Sequence, residues 1–207
     1  MSVTVDHEKM DVQSLGIQTV GQVIKELQKS KRLVVRLVID GEAPDLRRMA
    51  EIAAMPLTGH TIFVETVDPL EASLEVLINA YTELNRADEF KAEASDLLRR
   101  NKWADAMEKL RQCLALWQGA QRAIVTVGRL FQIDVEQMLV ASRPLRILSE
   151  DFARQLNSLQ TAIQSADLVG VSDVLVYETA HTGDTWRAAI EALRAVINPP
   201  RAVQSAV

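Results

Sequence analysis

The chain has 207 residues, is 48% hydrophobic and 25% charged, and sets 23 Lys and Arg against 28 Asp and Glu. That apolar share excludes wholesale disorder, and the length allows one domain or two small ones. The acidic balance lacks the basic stripe that phosphate neutralisation favours, and no uncharged apolar run reaches the ~18 residues of a membrane span, so neither nucleic acid nor membrane is an expected partner.

In chain order, Val3 and Val5 alternate with Ser2, Thr4 and Asp6, as a half-buried strand does. Residues 7–9 read as a polar turn and residues 10–12 as a returning strand. Thr19, with Gln22 three residues on, makes a capping box for a helix whose apolar stripe is Val20, Val23, Ile24 and Leu27. Residues 32–39 are rich in Val, Leu and Ile and read as a central strand, ended by the Asp40-Gly41 turn. Residues 45–57 are open between helix and loop. After a Thr58-Gly59 turn, residues 60–66 form a last strand with Ile62 and Val64 on one face.

This order, with Thr19-Val20 at the helix start, Ile39-Asp40-Gly41-Glu42 at a turn and Gly59-His60-Thr61-Ile62 entering the last strand, resembles a β-grasp domain, the ubiquitin-like fold. The likeness is to sulfur-carrier and TGS-type modules and covers residues 1–68. Sulfur carriers and ubiquitin end in a free Gly-Gly, whereas here the strand runs into Asp68-Pro69. The resemblance therefore implies a binding or regulatory module, without conjugation or thiocarboxylate chemistry. The crossover at residues 47–58 is longer than that fold expects.

Beyond Asp68 the period becomes helical, so the expected class is α+β: a β-grasp-like domain at 1–68, an antiparallel helical bundle at 69–197 and a flexible tail at 198–207. Asp68 and Pro69 suit the N-cap and first position of a helix with a seam of Leu70, Leu74, Leu77, Tyr81 and Leu84. Asp88 falls where the seam needs an apolar residue, which predicts a kink, a register shift or a change of packing partner near 85–90. A second helix over 103–131 carries Trp103, Met107, Leu110, Leu114, Trp117, Ile124 and Phe131. Beside that row lie Ala106, Cys113, Ala120 and Val127, whose small members permit close packing. Asp134 with Gln137 reads as a short helical turn. Pro144 opens a helix with Leu145, Leu148, Phe152, Leu156, Leu159 and Ile163 on one face. Asp167 caps a shorter one, and Thr182 or Asp184 caps the last, which carries Trp186, Ile190, Leu193 and Ile197. Ala94, Leu97, Trp103 and Ala106 resemble part of a tetratricopeptide unit, but with no second copy at a 34-residue period a single αα-hairpin is the better reading.

Chemistry is sparse. The eight glycines build no phosphate loop. Glu178-x-x-His181 has the spacing of a di-iron ligand pair, but such sites need two pairs and two further carboxylates, so it reads as a polar helix end and no metal is expected. Cys113 on an apolar seam reads as a buried, inert thiol, and His60 as a turn histidine. A single cysteine and no secretory signal point to a reducing cytoplasm. The expected function is a non-enzymatic interaction, scaffold or regulatory protein with no cofactor, acting on a protein partner as a monomer or weak homodimer. One alternative is a helical chaperone or adaptor for a secretion or flagellar-type assembly. Another is an enzyme without short motifs, using carboxylates such as Asp173, Glu178 and Asp184. The candidate partner-binding residues are Arg99, Arg100 and Trp103, an aromatic flanked by arginines beyond the seam break.

Overall fold

The computed structural model describes residues 2–199; residues 200–207 of the expected tail lie outside them. The chain is α+β, with a small mixed sheet first and helices after it. It divides into two compact units, Met1–Ala72 and Ser73–Val207.

In the first unit, β1 (Ser2–Val5) turns through Asp6 and His7, both at positive φ, into β2 (Glu8–Lys9). The expected return strand at 10–12 is thus displaced. A two-residue turn with both φ positive starts the return at Glu8, and Met10 keeps only a bond from its N–H to the Val3 carbonyl. The capping box closes as expected: the Thr19 hydroxyl accepts from the Gln22 N–H, and the Gln22 side chain accepts from the Thr19 N–H, opening α1 (Val20–Lys29). β3 (Leu33–Ile39) leads through a 3-10 turn at Leu46–Arg48 to α2 (Met49–Ala54) and β4 (Thr61–Val67). The long crossover is therefore partly helical.

The strand order is β2-β1-β4-β3, with β1 and β4 parallel. β3 is an edge strand, not the central one its composition predicts. Apolar content reports which faces of a strand are covered, and says nothing of which edge has a hydrogen-bonding neighbour. β4 takes the inner place with Ile62, Val64 and Thr66 buried, and α1 lays Val20, Val23 and Leu27 into the same core as Val3, Leu37, Ile62 and Val64. Gly21 lets α2 come close to α1, since a Cβ there would stand 2.8 Å from the Ala53 carbonyl oxygen.

Asp68 accepts from the Leu70 and Glu71 N–H groups and caps α3 (Pro69–Arg99). A tight turn, with Asn101 at φ 58°, joins it to α4 (Trp103–Leu130). The two form an antiparallel αα-hairpin in which Lys109 pairs with Glu93 at 2.6 Å and lies over the Phe90 ring. α3 runs as one continuous helix through residues 85–90. What changes there is the packing partner. Leu77, Leu84 and Ala87 join a core with Trp117, Phe152 and Trp186, whereas Ala94 and Leu98 join a second cluster with Ala106, Leu110, Leu159, Val171 and Leu175. On α4 the row Ala106, Cys113, Ala120 and Val127 is buried throughout.

The second unit is not wholly helical. After a turn at 135–137 a two-residue hairpin forms, β5 (Leu139–Val140) against β6 (Arg143–Pro144). Ala141 and Ser142 turn it at positive φ without the Asn-Gly signal that would announce it. α5 (Leu145–Gln164) follows. α6 (Leu168–Asp173), capped by Asp167 on the Gly170 N–H, continues as a π turn at Val174–Glu178. α7 (Thr182–Ile197) starts one residue beyond His181, which makes no side-chain cap bond. Neither Thr182 nor Asp184 caps it as expected: the Thr182 hydroxyl donates to Gln155 and Asp184 binds Arg187.

Candidate functional site

The break in the α3 seam is filled from within the chain. Arg187 of α7 donates to Asp88 and to Asp184, each at 2.8 Å, and Asp88 lies so close to Gly183 that a Cβ there would meet its Oδ1 at 2.7 Å. The carboxylate therefore sits at the positive end of the α7 dipole. Hydrogen bonding to Arg187 holds the Asp184 carboxyl below its ordinary range. One turn on, the Lys91 ammonium donates to the Thr179 carbonyl at 3.1 Å and the Ala180 carbonyl at 3.4 Å, tying α3 to the end of the π turn. Asp88 and Lys91 thus clamp α3 to α7 and the π turn, while Asn85, Arg86 and Glu89 of the same stretch stay exposed.

Arg99 and Arg100 are exposed at the C-terminal end of α3 and share the Asp96 carboxylate, at 3.9 and 2.7 Å. Trp103 opens α4 half-buried and packs on the second cluster, closing the hairpin end. These three residues stand at one end of the helical unit.

The cluster that Trp103 packs against includes a segment with a feature sequence reasoning missed. Val169, Val176 and Tyr177 are exposed, Val169 and Tyr177 by 69% and 74%, while Val171, Val174 and Leu175 from the same segment are buried in the cluster that Trp103 covers. The segment is held open at a π turn: the Thr179 N–H bonds to the Val174 carbonyl five residues back, and the buried Thr179 hydroxyl donates to the Leu175 carbonyl. π turns recur at functional sites. The available signal was the four-residue apolar run Val174 to Tyr177, which no single helical stripe can bury.

The other chemistry-bearing residues are not gathered. Asp173 and Glu178 border an open groove between α5 and α6, and Asp184 is engaged elsewhere by Arg187. Glu178 and His181 border a small polar cleft, with the His181 ring 3.9 Å from Asp184. Among the described residues no group of three His, Cys, Asp or Glu side chains is placed to hold a metal ion, and no helix is long and apolar enough to cross a membrane. Burial pushes the Cys113 thiol up to about 12. His60 bonds to Asp40 at 2.6 Å, beside the Thr61 N–H that donates to the same carboxylate. Comparison of the chain with known protein families, curated proteins and solved structures gave no match.

Proposed function

We propose that this chain is a non-enzymatic protein-interaction module: a β-grasp-like regulatory domain followed by a helical unit that presents the binding surface. The observation that carries this reading is the set of exposed apolar side chains Val169, Val176 and Tyr177 on the segment whose buried residues join the cluster that Trp103 packs against. Exposed aliphatic and aromatic side chains held on an ordered turn suit a protein partner, and tyrosine is a common anchor in such contacts. The mixed four-stranded sheet with α1 on one face supports the β-grasp-like reading of the first unit.

The test is capture of partners by the tagged full-length protein from its own host. Tyr177→Ser with Val169→Ser removes apolar contact from residues that support no core, so capture falls at least tenfold while the melting temperature holds. Arg99→Glu with Arg100→Glu weakens capture through electrostatic complementarity. Equal capture by both variants and the parent overturns the assignment of this surface.

A further inference from the structure

The chain turns at Ala166, φ 52°, and folds back so that α6 and the π turn run along α5. The Asp167 N–H meets the Ala162 carbonyl at one end of this pair, and the Thr182 hydroxyl reaches Gln155 at the other. Between the two lies an open groove of about 700 Å³. Its α5 bank includes Ser158, Thr161, Ala162 and Ser165, spaced three and four apart and small enough for a third backbone to come close. Across from them, a Cβ at Gly170 would stand 3.4 Å from that of Ala162, so the banks come together at the floor. The α6 bank carries Asp167, Asp173 and Glu178, all exposed. Arg154, which also lines the groove, pairs with Asp151, and His181, three residues past Glu178, faces Asp184. The three carboxylates thus have no cationic partner among the described residues. Val169, Asp173 and Tyr177 follow at four-residue steps, which sets the Asp173 carboxylate between two exposed apolar side chains.

Resting on the protein-binding reading of this segment, we propose that the groove takes a cationic amphipathic helix of a partner protein. Its matching row is a Lys or Arg flanked at four-residue steps by apolar side chains, with a second basic residue toward Glu178. The apolar side chains meet Val169 and Tyr177, and the unpaired carboxylates select the sign of the charge and fix the register. Both banks are helices whose backbone groups are bonded internally, so an extended peptide finds no main-chain partner there, whereas a helix brings its own bonds complete. The α5 bank from Arg154 to Ser165 is about 17 Å long, room for about three turns of the incoming helix.

The experiment follows, by fluorescence anisotropy, the binding of a labelled peptide to the full-length protein. The peptide is alanine-based and helical, with Leu, Lys and Leu at four-residue steps and a further Lys on the adjoining row. Saturable binding is expected, weakening as NaCl rises from about 50 to about 300 mM. The analogue with Glu for each Lys, and the analogue with Ala for each Leu, are each expected to bind at least about fivefold more weakly. Asp173→Asn with Glu178→Gln removes two exposed charges and is expected to weaken binding at least about fivefold while circular dichroism and melting temperature hold. Ser158→Trp, at an exposed position, fills the groove and acts in the same direction; if it fails to fold, the Asp173 and Glu178 variant decides. Absence of saturable binding, equal binding of either analogue, or unchanged binding to the Asp173 and Glu178 variant overturns the proposal. So does self-association of the parent that this variant abolishes, which would make a second copy the occupant. Partner capture from the host separates the two readings. Capture lost in Tyr177→Ser with Val169→Ser but intact in the Asp173 and Glu178 variant overturns the cationic helix alone, whereas capture intact in both overturns the protein-binding surface itself.

Discussion

Asp88 of α3 and Arg187 of α7 are joined by a 2.8 Å ion pair at the position where the apolar seam of α3 lapses. The Arg187 side chain is only 18% exposed, and Asp184 is its second partner. A charge at a seam position is tolerated because a guanidinium and a helix N-terminus both meet it.

Asp88→Leu restores the seam but leaves Arg187 half-desolvated with one partner fewer. The expected loss is about 1–3 kcal/mol, short of a fully buried pair because both side chains keep some water. Adding Arg187→Met removes the stranded charge and recovers most of that loss. A double-mutant cycle in urea checks it, and additive effects would show that the two residues are not coupled.

Ala120 sits in the small row of α4 and is buried. Ala120→Leu overpacks that contact and lowers stability by about 1–3 kcal/mol. Gly128→Ala acts in the same direction one turn beyond Ile124, since the new methyl would stand 2.2 Å from a Val135 methyl. Its gain in helix propensity, about 1 kcal/mol at most, offsets part of the clash. Chemical denaturation reports both.

Cys113, with its thiol pushed up to about 12 by burial, stays a thiol at neutral pH. Dithionitrobenzoate at pH 8 should leave the folded protein unmodified and titrate one thiol once the chain is unfolded in guanidinium. Rapid native-state labelling would contradict the packing of α4.

Asp6 accepts from the Thr66 hydroxyl and N–H at 2.6 and 2.7 Å, and from Arg32, contacts that hold its carboxyl below its ordinary value of 3.8. A depressed folded-state pKa contributes stability that is full above the unfolded value and is lost as pH falls through the folded one. Stability should therefore drop on going from pH 5 toward pH 2. Asp6→Asn, which keeps a residue suited to φ 49°, should be less stable at pH 7 and show a shallower drop. Urea midpoints across that range measure both.

Periodicity located the elements well wherever one face of a helix or strand is buried. The Thr19-Gln22 box, the Asp68 and Asp167 caps and the α4 rows all follow from side-chain type and spacing. Features that depend on backbone geometry without a residue signature were not legible. Ala141-Ser142 adopts a left-handed turn with residues that seldom announce it, and β3 shows its edge position only in its pairing. Arg99, Arg100 and Trp103 stand out in the sequence as an aromatic beside arginines, whereas the exposure of Val176 and Tyr177 arises on a π turn, which rotates side chains away from the 3.6-residue period.

β3 carries a register shift between Val34 and Arg36, and Val35, between them, is 56% exposed. Arg36 beside the shift pairs with Glu65 on the neighbouring strand. An outer strand interrupted in this way cannot present an even row of donors and acceptors to a stranger, so it is a poor seed for stacking one molecule on another. Deleting Val35 would straighten it, and the same sequence would then gain a template for fibrillar growth.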